Sequence, residues 1–425
     1  MMAQPFPAAS IIPRCPHHQN LTLLRFLGYG VTPKSQRIFL STANPLQGYT
    51  GTIPHGFQHC RAMASEPRDH VFGVLGFKFF SLPIRIDYSA PVRDVFTTFL
   101  AACLNVNTSL ASEILRYSGS GTNWRGQNQH NLPSWAEDFS QSLRRYIGYS
   151  NVNAGLGLPS QAVPYTIDLN TGTLSIPCIQ CDVVEQVQGN LPEYPEDWDS
   201  RFSEFFSYVW EVIRNYDDRV FDGGTSPIEA IARVLHDDEM ADPSTTHRIL
   251  PNHLEFIVFF LVYRLIQRIP DKAEFLERFG LETGRDSFLP SFYSAFPFLD
   301  RRLAPAPLRD DSLDEEQISR KLWENAECSV IIRAWLRTQK ETVESRCLFF
   351  HTANGRLGKG PPGMVATDML YISPVSNHVL VVRCRPEGGV TYVGPAFVLG
   401  LSHGEASEMF ANGTLEGEFE WLCIF

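Results

Sequence analysis

Two stretches with a strand-like pattern flank a long stretch with a helical one, and neither β stretch has enough strands to bury a face by itself. From about 162 to 188, the segment PYTIDLNTGTLSIPCIQCDVVEQV reads as two β runs rich in Thr, Ile, Val and Leu, joined at Asn170-Thr171-Gly172. After Arg346 the runs CLFFHT, MLYISP, HVLVVRCR and VTYVGPAFV follow one another across Gly- and Pro-containing turns. A lone hairpin is marginal in water, so the early hairpin needs a partner sheet, and the C-terminal runs are the other β-rich segment. The pattern therefore predicts one β module, a small barrel or sandwich, split by a helical insertion of some 160 residues.

The insertion has a helical period throughout. Trp198, Phe202, Phe205, Phe206, Val209, Trp210 and Ile213 form a wide apolar stripe, and 254–269 and 272–279 read as further helices. Ser226 with Glu229 and Ser312 with Glu315 match the capping-box pattern of helix starts. Leu289 to Asp311, broken by prolines, reads as an irregular connection.

Ahead of the hairpin, Ser65 is placed to cap a short helix with Val71, Phe72 and Leu75 on one face and Gly76 as terminator. Ile84 and Ile86 suggest a brief strand. Ser89 and Pro91 open a longer helix with Val92, Val95, Phe96, Phe99, Leu100, Cys103 and Leu104 at spacings of three and four. Between Asn105 and Leu132 the pattern weakens. The fold class is α+β, in five segments: loop-rich 1–60, a mixed segment 61–150, the hairpin 151–190, the helical block 191–345 and the β-rich module 346–425. Val95, Phe99, Trp135, Phe206, Trp210 and Phe260 are expected in the core.

A net charge of −11 provides no positive field to gather phosphate backbones, so nucleic acid is not an expected partner. The most apolar run, FIVFFLVY at Phe256 to Tyr263, is eight residues long, far short of the about 20 that cross a bilayer. The N-terminus lacks a signal-peptide pattern, and nine scattered cysteines fit reduced thiols, so a cytoplasmic location without membrane partners is expected.

Several constellations invite chemistry, and each has a plainer reading. The loop GRLGKGPPG at 355–363 lacks the Lys-Ser/Thr ending and following helix of a phosphate loop, and reads as a turn between strands. Cys178 and Cys181 are three apart on a strand, so their sulfurs diverge to opposite faces. Cys15, His17, His18, His55, His59 and Cys60 do not match a zinc-finger or ribbon spacing. Gly119-Ser120-Gly121 is a degenerate nucleophile elbow read as a flexible turn, and His236 to Glu239 reads as a solvated acidic cluster. No metal and no cofactor is expected.

Three segments in order resemble the later half of the fungal heterokaryon incompatibility (HET) domain. ASEPRDHVFGVLGF at 64–77 is similar to its Asp-Pro-Arg-Asp-Lys-Val-Tyr-x-x-Leu-Gly signature through Pro67, Arg68, Asp69 and Gly76, with Glu66 for the first Asp and Phe72 for the Tyr. IRIDYSAPVRDVF at 84–96 resembles the following Asp-Tyr-Ser stretch through Asp87, Tyr88 and Ser89. LPSWAEDFS at 132–140 resembles Leu-Pro-Ser-Trp-x-Pro-Asp-Trp-Ser through Pro133, Ser134, Trp135 and Asp138, departing at Glu137 and Phe139. From 346 to about 412 the chain resembles the module that often ends such proteins. The shared positions are Gly358, Gly360, Pro361, Asp368, Gly394, Gly404 and Glu405, with Thr367 in place of a Gly and Phe397 in place of a Tyr.

The resemblance implies that 61–150 is the remnant of an α/β HET-type domain, since residues 1–60 match neither the Leu-Ser-Tyr-x-Trp-Gly block nor the Gln-rich helix that open it. It further implies a regulatory role in self/non-self recognition and cell death through protein partners, without catalysis. An NAD or nucleotide hydrolase of TIR-like type and a peptide or small-ligand binding module are the alternatives. A catalytic site would draw its carboxylates from Asp87 or Asp138, which follow a strand and a turn. Bottom-up, Arg68 and Asp69 read as helix-start pairing groups and Trp135 as a packing anchor.

Overall fold

The computed structural model describes residues 64–75, 82–106, 110–120, 129–140, 152–159, 164–188, 198–216, 225–238, 251–325, 346–415 and 418–425, with isolated positions between 328 and 343. The fold is α+β, with an antiparallel sheet and helices on two sides of it. Its strands are β1 (Thr166–Asp168), β2 (Thr173–Val187), β3 (Leu348–Thr352), β4 (Leu357–Gly360), β5 (Met369–Ile372), β6 (Val379–Cys384), β7 (Val390–Val398) and β8 (Glu420–Ile424).

The long strand β2 makes one structure of the early hairpin and the C-terminal runs. Its start pairs with β1 and β8, its middle with β5 and its end with β3. The order β2-β3-β4-β7-β6-β5 then returns to β2, closing a six-stranded antiparallel barrel. Register shifts at Gln180/Asp182 and Val184/Gln186 let β2 turn from one side of the barrel to the other. Closure removes the free edges that a short open sheet exposes.

Alternation along the strands sorts the side chains into three cores. Ile179, Cys181, Val184, Phe350, Leu370, Ile372, Val379, Val381, Val393, Ala396 and Val398 belong to one cluster, which fills the barrel. Leu174, Ile176, Cys178, Leu380, Val382, Val390 and Tyr392 face outward into a second cluster. There they meet α1 (Asp69–Leu75), α2 (Val92–Val106) and the 132–139 segment through Phe96, Phe99, Leu100, Trp135 and Phe139. Phe349, Leu357 and Phe397 face outward into the third, the core of the helical block.

That block comprises α4 (Trp198–Tyr216), α5 (Pro227–Leu235), α6 (Pro251–Arg268), α7 (Lys272–Phe279), α8 (Phe288–Ala295) and α9 (Glu315–Glu324). Helix α6 is buried on all sides from Phe256 to Tyr263, as an uninterrupted apolar run demands. Among the described residues no helix is long and apolar enough to cross a membrane. Val95, Phe99, Trp135, Phe206, Trp210 and Phe260 are all buried.

Several local expectations are corrected. Ser65 does not open α1; a turn runs through 65–68 and the helix begins at Asp69. Ile84 and Ile86 form no strand, since none of the described residues pairs with them in a ladder, and Ile86 is 55% exposed. The weakly patterned stretch after Asn105 holds α3 (Leu110–Tyr117), whose face is set by contact with the barrel. The connection from Leu289 holds α8, with Pro290 in the first turn where the missing amide costs nothing. Ser226 does accept from the Glu229 amide, but the second capping box is Asp314 with Gln317, two residues beyond Ser312. Ser312 instead closes a turn on Asp310.

Candidate functional site

The first two motif segments lock together at the start of α1. The Arg68 guanidinium donates to the Tyr88 carbonyl, to the Ala90 carbonyl at 2.7 Å and to Glu66 at 2.6 Å. In return the Tyr88 hydroxyl donates to the Asp69 carboxylate at 2.5 Å, and its ring meets Phe72 edge-on with centroids 5.0 Å apart. That bond to Asp69 raises the Tyr88 pKa. The Asp87 carboxylate accepts from both the amide (2.8 Å) and the hydroxyl (2.6 Å) of Ser89, which lowers its pKa and shapes the turn into α2. Arg68 and Asp69 thus hold a neighbouring segment, not the amides of their own helix.

The third segment ties the N-terminal region to the barrel. Ser134 N donates to the Phe425 carbonyl at 2.9 Å, its hydroxyl donates to the same oxygen, and Tyr392 N donates to that hydroxyl at 2.9 Å. The fully buried Trp135 donates its indole N–H to the Gly172 carbonyl at 2.8 Å, and Pro133 borders the same hairpin turn. Asp138 repeats the Asp87 arrangement, accepting from the amide (3.0 Å) and hydroxyl (2.6 Å) of Ser140. His130 Nε2 lies 3.2 Å from that hydroxyl, and the field of Asp138 reaches His70, whose pKa burial lowers. Because Ser140 sits between His130 and Asp138, the order is not that of a Ser-His-Asp nucleophile.

In the C-terminal module the motif residues also have structural work. A Cβ on Gly358 would stand 2.5 Å from the Phe350 ring, and one on Gly360 would stand 2.0 Å from Met364 Sδ, so both glycines make room for the filling of the barrel. The segment around them is therefore strand β4 and not simply a turn, with Pro361 opening the turn that follows. Asp368, fully buried, receives a two-pronged bond from Arg383 at 2.8 and 2.9 Å and the Val365 amide at 2.8 Å. Thr367 has a φ of +79°, a backbone position suited to glycine. Gly119 approaches Val393 and Gly394 so closely that a Cβ would stand 2.5 Å from the Val393 oxygen, and Ser120 donates its hydroxyl to the Tyr392 carbonyl. The Gly119-Ser120 segment is a docking strap for the barrel. Gly404 caps α10 (Glu405–Ala411), and Glu405 accepts from the His403 amide at 2.7 Å.

The cysteines of the C-x-x-C pair part as their spacing predicts, Cys178 into the outer core and Cys181 into the barrel, and burial pushes both thiols far up. His236, Asp237 and Asp238 are buried where a solvated cluster is expected, because α5 ends against β4. Lys359 Nζ donates to the Leu235 carbonyl at 3.2 Å and lies 3.0 Å from Asp237, while His403 Nε2 donates to the Asp237 carbonyl at 2.9 Å. Cys15, His17, His18, His55, His59, Cys60, Gly76, Gly121 and Glu239 lie outside the described residues. Among the described residues no three His, Cys, Asp or Glu side chains are grouped to hold a metal.

Motif reasoning passes over Glu137, where the resembled pattern has proline. It is 1% exposed, neither carboxylate oxygen meets a hydrogen-bond partner among the described residues, and burial, reinforced by Asp138, pushes its pKa up to about 8. The Glu in place of Pro is the signal that marks it. Comparison of the chain with protein-family models, curated proteins and solved structures finds no match.

Proposed function

We propose that this chain is a cytoplasmic HET-like regulatory protein that acts in self/non-self recognition and cell-death control through protein contacts, without catalysis. One observation carries the reading: the first two segments that resemble the HET domain meet through residues that carry the resemblance, and the third reaches the C-terminal module through Ser134. Arg68 and Asp69 grip Tyr88, and Ser134 grips Tyr392 and Phe425. Asp87 and Asp138, the carboxylates a catalytic site would draw on, are each engaged by the serine two residues on. The barrel interior is filled with apolar side chains, which gives no support to a ligand held there.

The test is incubation of the pure chain with NAD while following nicotinamide release, alongside expression in a fungal host. No release and no cell death from the chain by itself are expected. A second reading, a nucleotide hydrolase, is favoured by Glu137, because a buried carboxyl that stays protonated at neutral pH is suited to general acid work. Nicotinamide release that vanishes in Glu137→Gln, Asp87→Ala or Asp138→Ala would put that reading first.

A further inference from the structure

Helix α10 runs out into an Asn-Gly pair whose turn departs from the common glycine-terminated helix end. Asn412, Gly413 and Thr414 are all exposed, and Gly413 holds a φ of +75°. In the common form the next two amides past the cap both return to carbonyls of the last turn. Gly413 N does so, donating to the Phe410 carbonyl at 3.3 Å, but Thr414 N donates to the side-chain Oδ1 of Asn412 at 3.0 Å. Leu415, which is buried, takes over the Met409 carbonyl at 2.9 Å. The side-chain carbonyl of Asn412 is thus polarised by a backbone N–H. Its neighbour Gly413 has no heavy atom within 4 Å of where a Cβ would stand, so the main chain there is free to turn. A second Asn-Gly pair, Asn354-Gly355, sits between β3 and β4 and is tied down on every side. Asn354 N donates to the Asp182 carboxylate at 3.3 Å, Gly355 N to the Thr352 carbonyl at 3.0 Å and Arg356 N to Thr352 Oγ1 at 3.0 Å. The two strands that flank it are paired in register.

We propose that Asn412 is a site of spontaneous covalent modification, deamidation by way of a cyclic imide, and that the fold directs the reaction to it and away from Asn354. Gly413 N gives up its proton to water and bonds to Asn412 Cγ. The former Oδ1 carries the negative charge that develops, and the Thr414 N–H already placed on that oxygen stabilises it. Collapse breaks the bond from Cγ to the side-chain nitrogen, which leaves as ammonia after taking a proton from water. Water then opens the imide: at Cγ it gives aspartate, and at the main-chain carbonyl it gives isoaspartate. Reaching this geometry costs Asn412 the single 3.3 Å bond from Gly413 N to Phe410, whereas Asn354 would have to disturb the β3–β4 hairpin and its tie to Asp182. Conversion sets a carboxylate at the C-terminal end of α10, where the helix dipole opposes it. The isoaspartyl form also adds a carbon to the main chain between α10 and β8.

The full chain is aged at neutral pH, in buffer and in parallel in concentrated urea, and peptide mapping by mass spectrometry follows the conversion of each asparagine to the acid. In buffer the peptide holding Asn412 is expected to convert at least about tenfold faster than the one holding Asn354, since a constrained geometry can slow a reaction by that much or more. In urea, where both turns are lost, the two rates should draw together. An Asn412 that stays intact in buffer, or converts no faster than Asn354, overturns the proposal. A preference for Asn412 as large in urea as in buffer overturns it too, because the choice would then come from the local sequence and not from the fold.

Discussion

The ammonium of Lys359 on β4 lies 3.0 Å from the carboxylate of Asp237 at the end of α5, with both side chains only 3% exposed. This pair joins the barrel to the helical block at a point where both Asp237 and Asp238 hold positive φ angles, +55° and +50°. The strain is tolerated because each residue is fixed from outside: Asp237 by Lys359 and His403, Asp238 by Arg233 at 2.8 Å.

Removing one member strands the other charge in the interior. Lys359→Ala is expected to cost about 3–5 kcal/mol, and Asp237→Ala a similar amount. The double variant Lys359→Met/Asp237→Leu should lose much less than the sum, since no unpaired charge remains. Urea unfolding midpoints of the four proteins check this. Additive losses would show that the two groups do not act on each other.

Two buried groups give stability an opposite dependence on pH. Burial, with help from Lys359, takes the His236 pKa down to about 3 from an ordinary 6.5, so between those values the unfolded chain binds the extra proton. His236 therefore weakens the fold as pH drops from 6.5 towards 3, by about 1.4 kcal/mol per unit, and does nothing above 6.5. Glu137, raised from 4.5 to about 8, holds its proton in the folded state, so its contribution is whole below 4.5 and is lost as pH rises to 8. His236→Gln should flatten the acid limb of the stability curve, and Glu137→Gln should stabilise the chain most at pH 8 and above. Urea midpoints measured from pH 4 to 9 test both signs.

How far the sequence discloses this fold depends on where the determining contacts lie. The β2 hairpin and its far partners are legible because a hairpin has too few strands to stand apart, a constraint independent of sequence distance. Helix α6 is legible because eight apolar residues in a row have one place to go. Helix α3 is not, since Ser112, Glu113 and Arg116 blur its apolar face, and Ser112 and Arg116 are buried because the barrel and the 373–378 connection receive them. The His236–Asp238 cluster fails for the same reason: charges close in sequence read as solvated, and their partner Lys359 is more than a hundred residues away. Asp87 and Asp138 are visible as carboxylates, yet the Asp-x-Ser spacing that engages each of them is the more telling local signal.

Thr367 is a β-branched residue at φ +79° just before the buried Asp368. Such a residue is strained there by an amount on the order of 1–3 kcal/mol, partly offset in glycine by its greater freedom when unfolded. Thr367→Gly is therefore expected to stabilise the chain by about 1 kcal/mol, read as a higher urea midpoint with unchanged slope. Thr367→Ala, which keeps the Cβ, should not reproduce the gain.

Gly358 on β4 faces Phe350 on β3 across a paired register, with the ring occupying the space a side chain at 358 would need. A Cβ there would stand 2.5 Å from Phe350 Cζ and 2.7 Å from the Phe397 carbonyl oxygen, both well inside contact distance. The ring can shift only into Met364 or the apolar wall beyond it, and the strand can shift only by disturbing its pairing with β7. Overpacking of this kind costs about 1–3 kcal/mol. Gly358→Ala should therefore lower stability by that amount, and Phe350→Leu in the same chain should recover part of it by freeing the ring's volume, although Phe350→Leu by itself is destabilising. The recovery stays partial because the clash with the Phe397 carbonyl is unaffected. A double-mutant cycle read from urea unfolding measures the coupling, and a coupling of zero would mean that Phe350 does not fill the space beside Gly358.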